Sequence, residues 1–187
     1  MSARPARLGF TLVELLMIVA ILAVLLALAA PGYGRLLGRT HGQTARERLL
    51  TTLAEARTAA VTRRVHVLVC PSGDRIDCSG ATQWQHGWIA FADLDRDGHR
   101  SADEPLIAAE QAQPEGVAVV GTSGRPFVDY RDDGSAAGTN LTLTVCDRAA
   151  GAADASTLVV NQAGRVRVGT PVAGASAACL RAADASS

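Results

Sequence analysis

Two hydrophobic patterns divide the chain. Over residues 10–30 the side chains are apolar almost without interruption, and Glu14 is the one charge among them. A helix of that length spans roughly 31 Å at about 1.5 Å per residue, which matches the hydrocarbon core of a bilayer. Beyond Pro31, where a kink is expected, the spacing changes. Leu49, Leu50, Leu53, Ala56, Ala60 and Val61 recur at helical intervals, with Arg46, Glu47, Arg48, Glu55 and Arg57 between them. This predicts an amphipathic helix over 32–64 whose apolar side packs on a folded head. Gly32, Gly34, Gly38 and Gly42 weaken the join between the two halves, so a loosened segment is expected there.

After Arg64 the pattern becomes short apolar runs separated by turn residues, at 65–70, 87–92, 106–109, 117–120, 141–146, 158–160 and 166–168. These read as strands. No second long helical pattern follows, so the economical architecture is α+β, an antiparallel sheet laid on the amphipathic helix. Trp84 and Trp88 are expected in its core. The tail over 169–187 is rich in Ala, Gly and Ser and is expected to be mobile apart from a tether at Cys179.

Charge and cysteine placement orient this arrangement. Arg4 and Arg7 precede the apolar run and hold that end in the cytoplasm, which sends the remainder outward. Cys70, Cys78, Cys146 and Cys179 all lie on the outward side, and an even count there points to two disulfides in an oxidising compartment. Three pairings are open; a local loop from Cys70 to Cys78 and a tether from Cys146 to Cys179 are favoured. Zinc has little support, because no CxxC occurs and His41, His66, His86 and His99 lack ligand spacing. The 18 basic residues are all Arg and balance 18 acids, which excludes a general polyanion-coating protein and confines any nucleic-acid site to a local patch. No GxSxG, HExxH, Walker loop or recognisable Cys–His spacing is present, so no enzyme is expected.

An ordinary secretory signal is cut after its apolar core. Here the candidate cut lies before the core, and the string Gly9-Phe10-Thr11-Leu12-Val13-Glu14 at its start resembles the prepilin signature. That resemblance implies cleavage between Gly9 and Phe10 by a prepilin peptidase and methylation of the new Phe10 amine. It also puts Glu14 at the fifth place of the processed chain, where its partner is the amine of a neighbouring subunit. A lone carboxylate in a membrane helix costs roughly 3 kcal/mol and needs such a partner.

Further strings, Val69-Cys70-Pro71-Ser72, Trp84, Gly87-Trp88-Ile89-Ala90-Phe91-Ala92-Asp93 and Gly164-Arg165-Val166-Arg167, are together similar to the FimT and GspH minor pilins over residues 9–168. The organisation implied is a leader over 1–9, a transmembrane helix over 10–31, an amphipathic helix over 32–64, a β-rich head over 65–168 and a tail over 169–187. The type IV pilin-like fold, a long N-terminal helix packed on an antiparallel sheet, goes with it. So does a place in the bacterial inner membrane with the head in the periplasm, and on a surface pilus after assembly, with other pilin subunits as partners.

Two strings in the head carry candidate chemistry. Asn161, Gln162 and Ala163 lead into Gly164 and read as a hairpin turn entering a strand. Alternation sends Val166 and Val168 to the core and projects Arg165 and Arg167 together, about 6–7 Å apart, a spacing suited to adjacent phosphates. Residues 155–183 hold three arginines and no acid. The resemblance to FimT-type proteins of competent bacteria implies that Gly164, Arg165 and Arg167 bind double-stranded DNA for uptake, with Arg148 and Arg181 extending the patch. Two alternatives stay open. The arginines pair with acids or a neighbouring subunit, or the chain is a GspH-like minor pseudopilin of a type II secretion system with an assembly role alone.

The second string, 93–104, fits the EF-hand loop formula, with Asp93, Asp95, Asp97 and Glu104 at positions 1, 3, 5 and 12 and Gly98 at 6. Strands rather than helices flank it, and Arg100 replaces the usual apolar residue. A hairpin connection held by Asx-type hydrogen bonds and a calcium site at the four acids are the two readings. No other cofactor is expected.

Overall fold

The computed structural model describes residues 11–185, without the side chains of 29–31. The leader over 1–9 and the cleavage pair Gly9 and Phe10 lie outside the described residues. Helix α1 (Leu12–Arg63) opens at Thr11, whose hydroxyl oxygen accepts the Glu14 backbone N–H at 3.3 Å. It closes at Arg64, where the backbone turns left-handed at φ 55°. The helix is continuous through Gly32, Gly34, Gly38 and Gly42, so the loosened segment expected there is not found. One of these glycines serves packing instead: a Cβ on Gly38 would collide with the Asp147 carboxylate, so its absence lets the loop after Asp147 lie against the helix. The bend falls higher up, 41° between Leu12–Leu28 and Gly32–Arg63, around Pro31, which has no N–H to donate. Among the described residues no single helix is long and apolar enough to cross a membrane, and this bent pair passes that test together.

The halves of α1 differ in what they touch. Over 12–28 every side chain is exposed, including Leu12, Leu16, Ile21 and Leu28. Ala45, Leu49, Leu53, Ala56 and Ala60, spaced by four or three residues, are fully buried. Leu50 is partly buried, whereas Val61, expected on the packing side, is 46% exposed because it lies one residue round from the stripe.

The stripe packs on two sheets rather than the one expected. Strands β1 (His66–Pro71), β2 (Trp88–Asp93), β3 (Leu106–Glu110) and β5 (Val128–Tyr130) pair in the order β3-β2-β1-β5; β4 (Val117–Gly121), β6 (Thr142–Asp147), β7 (Ser156–Val160) and β8 (Val166–Gly169) pair in the order β4-β6-β7-β8. Every pairing is antiparallel. The segment before β2 runs along β4 and joins the sheets: the Trp84 N–H donates to the Val119 carbonyl and the Gly121 N–H to the Thr82 carbonyl, each at 2.8 Å. Three-residue β5 carries too little pattern to be read from sequence.

Val67, Val69, Trp84, Trp88 and Tyr130 meet Leu143, Val145, Leu158 and Val160 across the α1 stripe in one core. Burying each such aliphatic side chain stabilises by about 1.5–3 kcal/mol. The Trp88 Nε1–H donates to the Thr52 hydroxyl at 3.1 Å, which fixes the rotation of the helix against β2. On the far side of the first sheet, Leu68, Cys70, Ile89 and Phe91 lie beneath Phe127 and Cys78.

The tail is ordered, contrary to expectation. Helix α2 (Ala173–Ala185) lays Ser176, Cys179 and Ala183 on Ala118 and Cys146 of the second sheet. Alanines spaced along one face, which as composition suggested mobility, give this short helix its contact surface. Disulfides join Cys70 to Cys78 and Cys146 to Cys179. The second closes a loop over a separation of 33 residues, against 8 for the first, and so constrains the unfolded chain more. Replacing Cys146 and Cys179 together by Ser is expected to cost roughly 3–4 kcal/mol, read as a lowered unfolding midpoint in denaturant. The Cys70 and Cys78 pair should cost less, and the opposite order would contradict the loop-length account.

Candidate functional site

The hairpin between β7 and β8 is built by its turn residues. The Gly164 N–H donates to the Asn161 carbonyl at 2.9 Å, the Asn161 N–H to the Arg165 carbonyl at 3.0 Å, and the Asn161 side-chain oxygen accepts the Arg165 N–H at 2.9 Å. Gly164 sits at φ 71° with no room for a side chain, since a Cβ would run into the Gly134 carbonyl oxygen. Arg57 of α1 braces the turn from below, Nε donating to the Gly134 carbonyl at 2.9 Å and an Nη to the Ala163 carbonyl at 3.4 Å. Neither Asn161 nor Arg57 was singled out as a site residue from sequence. The Asn-x-x-Gly spacing was the available signal for the first, and nothing local marks the second.

Cross-strand register sets the faces. Val160 pairs with Val166 and Leu158 with Val168, and because Val160 and Leu158 belong to the core, those positions point inward. Val166 packs there, but Val168 is 51% exposed because β8 is the edge strand and reaches past the helix. Arg167, opposite Val159, lies on the outer face, while Arg165 belongs to the turn before β8 and borders a hollow lined by Ala54, Arg57 and Thr58 of α1. Both arginines are exposed, and among the described residues no carboxylate lies within ion-pair distance of either guanidinium. Helix α2 covers β4 and β6 on this same face and leaves β8 open.

The structure does not gather all five predicted residues. Arg148 follows the far end of β6, whereas the hairpin adjoins its start through the Thr142–Val159 pair, so a strand's length separates it from Arg165. Arg181 is exposed on α2, turned away from the sheet. Of the five, the fold keeps Gly164, Arg165 and Arg167 together in one hairpin.

The acidic string forms the connection between β2 and β3. Asp93, Asp95 and Asp97 come together, with one carboxylate oxygen from each within 4.8 Å of the others. Glu104 does not join them. Its Oε1 accepts the Leu94 N–H at 2.6 Å and its Oε2 the Ser101 N–H at 2.9 Å, so both oxygens are spent closing the loop. Burial pushes the Asp93 carboxyl above its ordinary value; the Arg96 and Gly98 amides oppose this, while the charges of Glu104 and Asp95 add to it. His99 Nδ1 lies 3.1 Å from Asp77 Oδ2, and this hydrogen bond and charge raise the imidazole pKa. With the Arg100 N–H donating to Asp77 Oδ1 at 3.0 Å, the connection is tied to the loop closed by Cys70 and Cys78.

At the other end of the molecule, Glu14 is exposed in the first turn of α1, surrounded by uncovered Leu, Val and Ile side chains. Such a surface requires either lipid or the helices of other subunits around it.

Comparison with known proteins accords with this architecture. Residues 45–164 match the family model of the type II transport protein GspH, and residues 4–30 match the prokaryotic N-terminal methylation motif. The chain therefore belongs to the GspH family, whose members are structural, non-enzymatic minor pilins and pseudopilins. No curated protein matches it. The type IV minor pilin FimU of Pseudomonas aeruginosa (strain PAO1), in two crystal forms, superposes with TM-scores of 0.56 and 0.53. Identity is 21% and 20%, over 70% and 68% of this chain and 90% and 91% of that one, which shows the shared fold of a long helix on antiparallel sheets. The minor pseudopilin EpsH of the Vibrio cholerae type 2 secretion system is also similar, with a TM-score of 0.46 at 14% identity over 72% of this chain and 97% of that one. The family match ends at Gly164, one residue short of the arginine pair.

Gly164→Ala should destabilise the protein by more than about 2 kcal/mol, since it adds a collision to the usual left-handed penalty. Gly138→Ala, at φ 91° in open space, provides the comparison and should cost about 1–2 kcal/mol. Equal losses in chemical denaturation would show that the turn yields without strain.

Proposed function

We propose that this GspH-family subunit is a minor type IV pilin that binds extracellular DNA through Arg165 and Arg167. The observation that carries the proposal is the state of these two side chains. Arg167 stands on the open edge strand β8 and Arg165 in the turn just before it, both exposed and without a carboxylate partner among the described residues, while the hairpin that carries them is fixed by Asn161, Gly164 and Arg57. Cations held out in this way lose little on meeting phosphates and release counterions when they do. Contacts of this kind go to the DNA backbone, so binding by one subunit is weak, salt-sensitive and indifferent to sequence.

A mobility shift with double-stranded DNA, using the chain from residue 35 onward, tests this. The fragment omits 12–28, whose side chains are exposed, and retains the buried stripe that starts at Ala45. Arg165→Ala with Arg167→Ala should weaken binding at least tenfold and reduce the logarithmic salt slope by about 2. Equal binding by both proteins would sink the proposal.

The match to the type II transport protein GspH favours a second reading, a minor pseudopilin with an assembly role alone. A deletion strain that loses protein secretion and keeps DNA uptake would select it. Either filament needs Glu14, which we assign to pairing with the processed amine of a neighbouring subunit. Glu14→Ala should leave leader cleavage intact and lower recovery of the subunit in sheared filaments at least several-fold. Normal incorporation would remove Glu14 from assembly.

A further inference from the structure

We infer that the connection between β2 and β3 is a calcium site made by Asp93, Asp95 and Asp97, independent of the arginine hairpin. A cluster of acids at a loop is common without an ion, and the three carboxylates alone would say little. The deciding feature is Asp93. The residue is only 5% exposed, and its Oδ1 is buried with no hydrogen-bond partner. A buried carboxylate oxygen without a donor is unfavourable unless something else neutralises it, and a hard cation does so directly.

The remaining bonds divide the carboxylates in a consistent way. Asp93 Oδ2 accepts the Gly98 N–H at 3.3 Å, Asp95 Oδ1 the Asp97 N–H at 3.3 Å, and Asp97 Oδ1 the His99 N–H at 2.7 Å. Each residue thus spends one oxygen on shaping the loop. Among the described residues, Asp93 Oδ1, Asp95 Oδ2 and Asp97 Oδ2 receive no donor. Each residue so keeps an oxygen that the loop does not use, and the three carboxylates are close enough that one oxygen from each lies within 4.8 Å of the others.

The ligand chemistry selects the ion. All candidate donors are carboxylate oxygens, with no sulfur or imidazole in the cluster, so a soft or borderline metal is disfavoured. Calcium accepts an irregular oxygen set completed by water, whereas magnesium demands near-octahedral geometry and dehydrates reluctantly. Because Glu104 closes the loop with both oxygens, the site lacks the bidentate acid that gives an EF-hand its tight binding. It therefore belongs with weak extracytoplasmic sites, with a dissociation constant on the order of 0.1–1 mM. Binding would stiffen the β2–β3 connection and, through Asp77, the adjoining disulfide loop.

The test uses the full chain in non-ionic detergent micelles, stripped with chelator and titrated calorimetrically with calcium chloride, with magnesium chloride and sodium chloride as parallel arms. Asp95→Asn with Asp97→Asn is the informative variant. Both positions are exposed, and the amide oxygen still accepts the loop N–H groups while the charge is gone. The wild type should give a saturable calcium isotherm and a rise of about 3 °C in unfolding temperature at ten times the dissociation constant. The variant should give neither, with its metal-free unfolding temperature unchanged. No heat and no shift in the wild type would overturn the inference, as would an equal response in the variant or binding of magnesium as tight as that of calcium.

Discussion

Everything in the head depends on one buried face of α1. Ala45, Leu49, Leu53, Ala56 and Ala60 are the surface on which both sheets close, with Val67, Val69 and Trp88 arriving from one and Leu143, Leu158 and Val160 from the other. The direct connection between the sheets is slight, a bridge between Gln83 and Val120 and the bonds flanking it. Helix burial is thus what makes one core of two sheets. Small residues on the stripe let the strands come near, and the bond from Trp88 to Thr52 sets the helix rotation. The same helix supplies Arg57, so the turn carrying the arginine pair is positioned by the element that organises the core.

That dependence explains why a single helix serves two environments. Up to Leu28 its side chains are exposed and apolar, so they satisfy nothing within the chain and require lipid or other subunits. From Ala45 onward the chain's own strands cover one side. The change occurs across the bend near Pro31 and the close approach at Gly38, where the first element of the head, the loop after Asp147, meets the helix. Filament insertion and head folding are thereby separated along one rod. A substitution in the upper half leaves the core untouched.

The elements that sequence revealed were those whose periodicity is set by burial on one side. The stripe of α1 and the strands flanking Trp88, Val119 and Val145 all carried that signal. What escaped had other causes. Two sheets instead of one follow from pairing β4 with β6 rather than with β3, its predecessor in the chain, a long-range choice that no local pattern encodes. Helix α2 is held by Cys179 and by alanines too small to register as an apolar stripe. Val168 obeyed alternation yet remained exposed, because an edge strand has an inward face with little opposite it. At the sites, spacing singled out Arg165 and Arg167, which the fold leaves exposed, and three aspartates, which it brings together. Spacing alone did not reveal that the Glu104 oxygens accept the loop's own amides or that Arg148 lies a strand's length from the hairpin.

Net charge of zero conceals a separation that the fold creates. The acidic connection belongs to the first sheet, between β2 and β3, and the arginine hairpin to the second, between β7 and β8. Had these segments met, their charges would have paired, and neither guanidinium would remain open nor any carboxylate oxygen be left over. Placing them on different sheets preserves both local fields at no cost in total charge. Each field also rests on a support that is itself fixed: Arg57 and Gly164 beneath the cations, Asp77 and the Cys70–Cys78 loop beside the anions. A neutral composition is therefore no evidence against charged recognition when topology keeps opposite charges on separate sheets.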